Sequence, residues 1–476
     1  MDIDYEKLKF KSGLEIHQQL DSGKLFCDCP SVLRSDDPDF EVSRRLHAIA
    51  GETGEIDIAV KHQAGKNKEF VYQVHKENVC LVDLDEEPPH KINKDALDIA
   101  VQIGLLMNMK IFPITQIMRK TVVDGSNTSG FQRTVMIARD GFIETSYGKV
   151  EIDYLFLEED SARIIKRGED KDIYRLDRLG FPLVEVVTAP DFKNTKQAKE
   201  AALKIGEILR SCKVKRGIGT IRQDLNISIR DENRIEIKGM QDMKIFEKAA
   251  EIEVLRQEKL SDKKNPVDME VRNVLKDGSS EFLRPLPGSS RMYPETDLPL
   301  LKISRKFIDD AKKRLPKLRS VIERDLKKKG LSEDMIMLLF KQNKIEEFKT
   351  FLEILNSPQF VAKVLLIFLK DVSVKKNFEI EILEDYLSEI FLSVANGDLR
   401  EENVKSALEG LTEGKVLKDI LKERNVNNGD IEEKIMKIIN AKPGLSEKAY
   451  MGLVMKEFRG KVSGKESMEM IKKLIG

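Results

Sequence analysis

The stretch Gln223-Asp224-Leu225-Asn226-Ile227-Ser228-Ile229-Arg230, followed by Asp231-Glu232-Asn233 and then Arg234-Ile235-Glu236-Ile237-Lys238, reads as a β-hairpin. Leu225, Ile227 and Ile229 alternate with polar residues, a polar turn intervenes, and Ile235 and Ile237 resume the alternation. One face of such a hairpin is core. The other carries Asp224, Asn226, Ser228, Arg230, Glu236 and Lys238 side by side, which makes it either a wet surface or the floor of a site.

Outward from this hairpin, residues 1–300 are short β-type segments punctuated by Gly, Pro and Asn, whereas residues 301–476 read as helix after helix with i, i+3, i+4 apolar spacing. Breakers mark a joint from Leu286-Pro287-Gly288-Ser289-Ser290 to Leu298-Pro299-Leu300, and a softer one at Val394-Ala395-Asn396-Gly397-Asp398. The pattern predicts an α+β chain: a mixed or antiparallel-sheet domain over 1–300, an all-helical domain over 301–398 and a small helical tail domain over 399–476. A length of 476 residues exceeds what one hydrophobic core supports. The longest apolar stretch, Val361 to Leu369, is too short to span a bilayer and is broken by Lys363. The acidic opening Met1-Asp2-Ile3-Asp4 predicts no secretory leader, and four cysteines suit a reducing compartment, so a cytoplasmic protein is expected.

The formal charge is zero but unevenly spread. Residues 301–476 hold 35 Lys+Arg against 29 Asp+Glu, leaving 47 against 53 for residues 1–300. The sharpest basic stretch, Arg305 to Lys329, holds 11 Lys+Arg against 4 Asp+Glu. Such a stripe on a neutral chain points to a polyanion, most simply nucleic acid, or else to a solvated Lys-rich helical surface.

The chemistry-bearing residues cluster early. All five histidines (His17, His47, His62, His75, His90) precede residue 91. In Gly13-Leu14-Glu15-Ile16-His17-Gln18-Gln19-Leu20, strand periodicity turns Glu15 and His17 to one face, as a divalent cation or a proton transfer requires. Val150 to Leu157 runs into Glu158-Glu159-Asp160, and Leu183-Val184-Glu185-Val186-Val187 buries a lone glutamate that must be paired, neutralised or metal-bound. Arg119-Lys120, Arg133, Arg178 and Arg222 are cations suited to phosphate. Asp124-Gly125-Ser126-Asn127-Thr128-Ser129-Gly130 is either a plain surface turn or a loop offering N–H groups to an anion. There is no Gly-x-x-x-x-Gly-Lys-Ser/Thr, no Gly-x-Gly-x-x-Gly and no Gly-x-Ser-x-Gly. Cys27 and Cys29 form a Cys-x-Cys, while Cys80 and Cys212 stand alone, so a zinc site would need a distant partner such as His47 or Cys80 and is not expected.

Together, Ser12–Leu20, Arg119-Lys120-Thr121-Val122-Val123-Asp124-Gly125-Ser126-Asn127-Thr128-Ser129-Gly130, Leu157–Ala162, Asp177–Glu185, Arg222–Ile229 and Arg291-Met292-Tyr293-Pro294-Glu295-Thr296-Asp297-Leu298-Pro299 resemble the tRNA-dependent amidotransferase B/E family, in order over residues 10–300. The details are similar to its archaeal E-type members. The helical half fits as well, ending in Met451-Gly452-Leu453-Val454-Met455-Lys456 and Arg459-Gly460-Lys461, similar to a tRNA-binding tail. Two departures stand out. The zinc knuckle of B-type members, Cys-x-Cys with Cys-x-x-Cys, is represented only by its first half. The inserted domain usual in E-type members has no room between Glu270-Val271-Arg272-Asn273-Val274 and Leu286.

The resemblance implies a catalytic cradle over 1–300 that uses ATP and Mg²⁺ to phosphorylate the side-chain carboxylate of glutamate misacylated on tRNA(Gln). Ammonia then converts the γ-glutamyl phosphate to glutaminyl-tRNA(Gln). It implies Glu15, His17, Lys120, Glu159 and Glu185 as catalytic residues, and Lys120, Ser126, Arg133, Arg178 and Arg222 as ATP or phosphate contacts. Glu15, His17, Glu158, Glu159 and Asp224 would be metal ligands, and Arg305, Lys312, Lys313, Arg314, Lys456, Arg459 and Lys461 would contact tRNA. With no amidase motif in the chain, the ammonia donor would be an asparaginase-like glutaminase partner, the family's D-type protein, in a heterotetramer of two D-type and two E-type chains. Two alternatives are a B-type protein that also amidates Asp-tRNA(Asn) and a non-catalytic tRNA-binding protein with a decayed site.

Overall fold

The computed structural model describes residues 3–46, 54–56, 61, 65, 68–264, 267–286, 292–342, 344–424, 428–457 and 464–475. The chain divides into two compact units, Met1–Arg319 and Ser320–Gly476. Elements of the first unit run β1 (Lys11–Gln19), β2 (Phe40–Arg44), β3 (Glu69–Val74), α1 (Lys94–Leu106), β4 (Lys110–Ile111), β5 (Ile114–Thr115), β6 (Ile117–Thr121), β7 (Phe131–Thr145), β8 (Gly148–Glu159), β9 (Arg163–Lys166) and β10 (Lys171–Arg175). They continue β11 (Pro182–Thr188), α2 (Thr195–Ser211), β12 (Ile221–Ser228), β13 (Ile235–Lys238), α3 (Phe246–Asp262), β14 (Glu270–Val274), β15 (Ser280–Pro285), β16 (Met292–Pro294), β17 (Leu301–Lys302) and α4 (Arg305–Lys313). The unit is α+β, as the sequence predicts.

An eleven-stranded sheet in the order β15-β14-β13-β12-β1-β11-β8-β7-β6-β16, with β4 paired to β7, forms its backbone. All its pairings are antiparallel except β13 with β14. The hairpin read from the sequence is β12 and β13, paired Leu225 to Ile237 and Ile227 to Ile235, with all four side chains fully or almost fully buried. Arg230 and Asp231 take left-handed backbone conformations (φ 54° and 60°), so Arg230 belongs to the turn rather than to the polar face. Its guanidinium pairs with Asp262 at 2.6 Å on the last turn of α3.

β1 runs down the middle, between β11 and β12, strands more than 160 residues away in sequence. Leu14 and Ile16 of β1, Val184 and Val186 of β11, Leu155 and Leu157 of β8, and Val135 and Ile137 of β7 form one face of the main core. The helices α1, α2 and α3 cover that face. Their starts follow from side-chain caps: Asn93 Oδ1 accepts from the N–H groups of Asp95 and Ala96, and Asn194 Oδ1 from that of Gln197. Ala198, Ala201, Ala202, Ile205 and Leu209 then form the buried stripe of α2. The polar members of the alternation point to the opposite face of the sheet.

A second sheet, β2-β3-β10-β9, has a small core of its own that includes, among the described residues, Phe70, Tyr72, Tyr174 and Leu176. Beyond residue 300, β17 pairs with β5, and α4 packs Phe307, Ile308 and Ala311 onto the main core. The first unit therefore continues past the breaker-rich joint to Arg319, and the basic stretch Arg305–Lys329 is shared between the two units. The second unit is helical throughout its described residues, with a core built on Leu339, Phe348, Val361, Leu369, Ile390 and Phe391. A separate small cluster, Ile435, Tyr450, Val454 and Ile471, holds the last helices together. No helix among the described residues is long and apolar enough to cross a membrane.

Candidate active site

Register brings the polar residues of seven strands together. Across β1 and β11, His17 lies opposite Glu185; across β1 and β12, Glu15 lies opposite Asp224 and His17 opposite Arg222. Leu183 of β11 lies opposite Glu158 of β8, and Lys120 of β6 opposite Gln132 of β7. Directly paired residues share a face, so Glu15, His17, Lys120, Gln132, Glu158, Glu185, Arg222, Asp224, Glu236 and Lys238 all point to the open side. They line a cleft of about 590 Å³ whose rim includes Ser126, Asp160, Arg167 and Arg284.

Two acid groups divide the cleft. In the first, His17 Nε2 stands 3.8 Å from Glu158 and 3.7 Å from Glu185, and Lys120 Nζ stands 3.4 Å from each of the same carboxylates. In the second, Glu15, Asp224 and Glu236 converge, each offering an oxygen within 4.8 Å of the others. There Lys238 Nζ binds Asp224 at 2.6 Å and Glu236 at 2.7 Å, and Asn226 donates to Glu15 at 3.0 Å. Burial, reinforced by the charges of Glu185 and Glu236, pushes the Glu15 carboxyl above its ordinary range. Burial also raises Glu158, against the pull of Lys120. Burial opposes the charge on Lys238, yet Asp224 and Glu236 outweigh it and hold the ammonium above its usual pKa. Five carboxylates thus face two lysines and one imidazole. Such a surplus of oxygen donors in a partly dry site suits a hard divalent cation such as Mg²⁺.

The loop after β6 forms one wall. Asp124 Oδ1 accepts from the N–H and hydroxyl of Ser126, and the hydroxyls of Tyr174 and Tyr72 donate to the carbonyls of Asp124 and Gly125. Gly125 has φ +87°, and a Cβ there would lie 2.2 Å from the Phe70 ring, so only glycine fits. Arg222 reaches the same wall by binding Asp160 at 3.1 Å.

Of the residues expected from the sequence, Glu15, His17, Lys120, Ser126, Glu158, Glu185, Arg222 and Asp224 meet in this cleft. Glu159 and Arg133 do not line it. Strand alternation turns them to the other face, where Glu159 accepts from the Arg133 backbone N–H at 3.1 Å and Arg133 binds Glu295 at 2.9 Å. Arg178 lies behind the wall, donating to the carbonyls of Ser161 and Ala162. Arg305, Lys312, Lys313 and Arg314 are exposed at α4, with Arg314 paired to Asp98 at 2.7 Å, and Lys456 is exposed on a late helix. Arg459 and Lys461, like His47 and His62, lie outside the described residues. Glu236, Lys238, Asp160, Arg167 and Arg284 complete the cleft without having been assigned a role from sequence. The hairpin alternation already carried the signal for Glu236 and Lys238; nothing local marked Arg284.

Residues 10–309 match the family described as GatB/GatE catalytic domain. The chain is 36% identical to the E-type component of glutamyl-tRNA(Gln) amidotransferase from Methanocaldococcus jannaschii, over 99% of both chains. It is 33% identical to proteins of the same name from Methanococcus maripaludis, over 98% of both, and Archaeoglobus fulgidus, over 99% of both. The first alignment runs over 627 positions against the 476 residues of this chain, so that relative carries many residues with no counterpart here, in keeping with the missing insertion. The chain belongs to the GatB/GatE family of tRNA-dependent amidotransferases, carbon–nitrogen ligases, with its catalytic domain at residues 10–309.

Proposed function

We propose that this chain activates and amidates the glutamate of misacylated Glu-tRNA(Gln), using ATP, Mg²⁺ and ammonia released by a partner glutaminase. The observation that carries the reading is the pairing of two acid groups, each with its own lysine, in one cleft. The side-chain carboxylate of the tRNA-bound glutamate attacks the γ-phosphorus of ATP and ADP departs. Ammonia then attacks the acyl carbon, phosphate leaves, and the nitrogen loses a proton. Phosphoryl transfer asks mainly for positioning and charge neutralisation. Lys120, held between Glu158 and Glu185, supplies a fixed cation at the centre, while Arg222 and the Ser126 loop provide donors along one wall. Mg²⁺ would be held by the first acid group, His17, Glu158 and Glu185, and would supply charge neutralisation at the phosphoryl oxygens, while Glu15 and Asp224 belong to the second group.

Glu15, its carboxyl raised by burial, is suited to take the proton from the attacking nitrogen. A second pocket of about 150 Å³ shares Glu15, Lys120, Glu185 and Glu236 with the cleft, which supports a polar route for ammonia to the acyl phosphate. Exposed Arg305, Lys312 and Lys313 are suited to tRNA phosphates.

The test uses the full chain with Glu-tRNA(Gln), ATP, Mg²⁺ and ammonium. Gln-tRNA(Gln) and ADP are expected in equal amounts, and His17→Ala is expected to abolish both while tRNA binding persists. Unchanged turnover in that variant would sink the site assignment. Triple replacement of Arg305, Lys312 and Lys313 by Ala should weaken tRNA binding and flatten its salt dependence by about three charges, with turnover at saturating tRNA preserved.

A further inference from the structure

The segment that joins α2 to β12 is Cys212-Lys213-Val214-Lys215-Arg216-Gly217-Ile218-Gly219-Thr220. Ile218 stands at its tip and is fully exposed (108%), ahead of every other large apolar side chain among the described residues; Val374 follows at 74%. Gly217 and Gly219 on either side have φ +123° and +84°, and a Cβ on either would meet nothing within 4 Å. The turn closes through the Thr220 hydroxyl and N–H, which donate to the Gly217 carbonyl at 2.8 and 3.4 Å. The glycines are therefore required by the backbone of the turn, and the space around them is open. One exposed isoleucine calls for no explanation on its own. Its setting does.

The turn is held stiffly from below. Gln18 is buried, and its side-chain amide nitrogen reaches the carbonyls of Gln19, Lys215 and Thr220 at 3.0, 3.0 and 3.1 Å. Lys215 is committed there too, its ammonium donating to the Ser31 carbonyl at 2.7 Å. The remaining cations face outward. Lys213 and Arg216 are exposed and form no ion pair among the described residues, and the Arg216 guanidinium donates to the Arg210 carbonyl at 3.1 Å. Burial pushes the Arg210 guanidinium below its usual pKa, opposed by Glu207 and reinforced by the charges of Arg216 and Arg319. Like charges crowded beside an apolar tip suit a polyanion that also offers apolar faces, which is nucleic acid. The turn also adjoins the cleft. Ile218 precedes Arg222 by four residues, a reach of at most about 14 Å between Cα atoms, and Arg222 lines the cleft opposite His17.

We propose that the turn at 216–219 receives the unpaired 3′ end of the tRNA: Ile218 packs on a nucleobase face there, and Lys213 and Arg216 take the adjoining phosphates. The inference rests on the reading of Glu-tRNA(Gln) as substrate and adds where its end is held. The reacting carboxylate is carried at the 3′ terminus, so the strand that bears it has to pass the rim of the cleft. Packing on a base face is blind to sequence, since every base has one. Glycines on both sides of the tip let the sugar–phosphate backbone approach without meeting a Cβ. Ile218 is thus a positioning residue, acting on the nucleotide beside the aminoacylated end and not on the acyl or phosphoryl group.

The chain contains no tryptophan, so Ile218→Trp makes a single fluorescent reporter at a fully exposed position. In the full chain its emission should be quenched by stacking when uncharged tRNA(Gln) binds, and should stay unquenched with the same tRNA trimmed of its unpaired 3′ nucleotides. An unquenched signal at saturating intact tRNA, or equal quenching by the trimmed one, would overturn the contact, and this readout needs no turnover. In steady state, Ile218→Ser should raise KM for Glu-tRNA(Gln) about 10-fold, the loss of one buried aliphatic side chain, with KM for ATP at its wild-type value. Ile218→Leu should restore it. Lys213→Ala together with Arg216→Ala should lower the salt slope of tRNA binding by about 1.4, as for two phosphates on a single strand. A fall in kcat alone in Ile218→Ser, or an unmoved KM, sinks this inference and leaves the substrate assignment standing. An unaltered chain that binds tRNA(Gln) with quenching of the reporter yet amidates no Glu-tRNA(Gln) upholds the contact and sinks the substrate assignment.

Discussion

The two faces of β6, β7 and β8 carry buried charge in opposite ways. On the open face, Lys120 and His17 stand 3.4 to 3.8 Å from Glu158 and Glu185, and the carboxylates outnumber the cations. On the other face, one residue along each strand, Arg119, Arg133 and Glu159 join Glu295 and Asp297 in a closed network. Glu295 is almost fully buried and accepts from both arginines, Arg119 also binds Asp297 at 3.0 Å, and both guanidiniums lie over the Phe131 ring. Burial opposes the Glu295 charge, but hydrogen bonds from Arg119, the Asp297 N–H and Arg133 hold its carboxyl below the ordinary range. A network in which each buried charge meets an opposite charge is support, even with the Arg119 Nε–H left without a hydrogen-bond partner. A strand face with charge left over is where a cation and a phosphate can be received.

Substitutions in the two networks test this contrast. Lys120→Ala should lower turnover by about 10³- to 10⁵-fold, the range for a cation that neutralises a transferring phosphoryl group, with little change in melting temperature. A large loss of stability there would place Lys120 with the supporting network instead. Glu295→Gln should do the reverse. It removes the carboxylate that both arginines share and leaves Arg119 with Asp297 and Arg133 with Glu159, so urea denaturation should show a loss of about 1–3 kcal/mol, with turnover of the folded enzyme nearly intact. The wild-type network should also weaken in acid. Because the Glu295 carboxyl is lower in the folded than in the unfolded chain, its contribution is complete above the usual carboxylate pKa and disappears as pH falls through the folded value.

The smallest effect is expected at Glu15. Its carboxyl is raised on folding, so the ionised side chain costs stability above the ordinary carboxylate range. Glu15→Gln keeps the acceptor for Asn226 and should stabilise the fold by about 0.5–2 kcal/mol while amidation falls. In the wild type, amidation should decline toward acid with an apparent pKa above that of a free glutamate. Destabilisation by Glu15→Gln would show that the cleft is as well satisfied as the network behind it.

Much of this was legible in the residues. Period-2 alternation located β12 and β13 and their polar face, and Glu15 and His17 were paired by spacing alone. Spacing could not rank Glu158 above Glu159: adjacent residues on a strand point to opposite faces, and only the sheet's surroundings say which face is open. The breakers near residue 300 overstated the joint, because α4 keeps an apolar side that the main core absorbs. Cys80 could be named only as one of two possible distant partners of Cys27 and Cys29, and Asp83 not at all, since contacts across some fifty residues leave no local pattern.

Taken by itself, the chain determined its α+β succession, the residue types of its chemistry and its family motifs, because these depend on short-range periodicity and composition. Tertiary structure alone decided which carboxylates share a cleft, which arginines are locked away and which sulfurs meet. Those outcomes follow from strand order and register, with β1 threaded between strands formed far later in the chain.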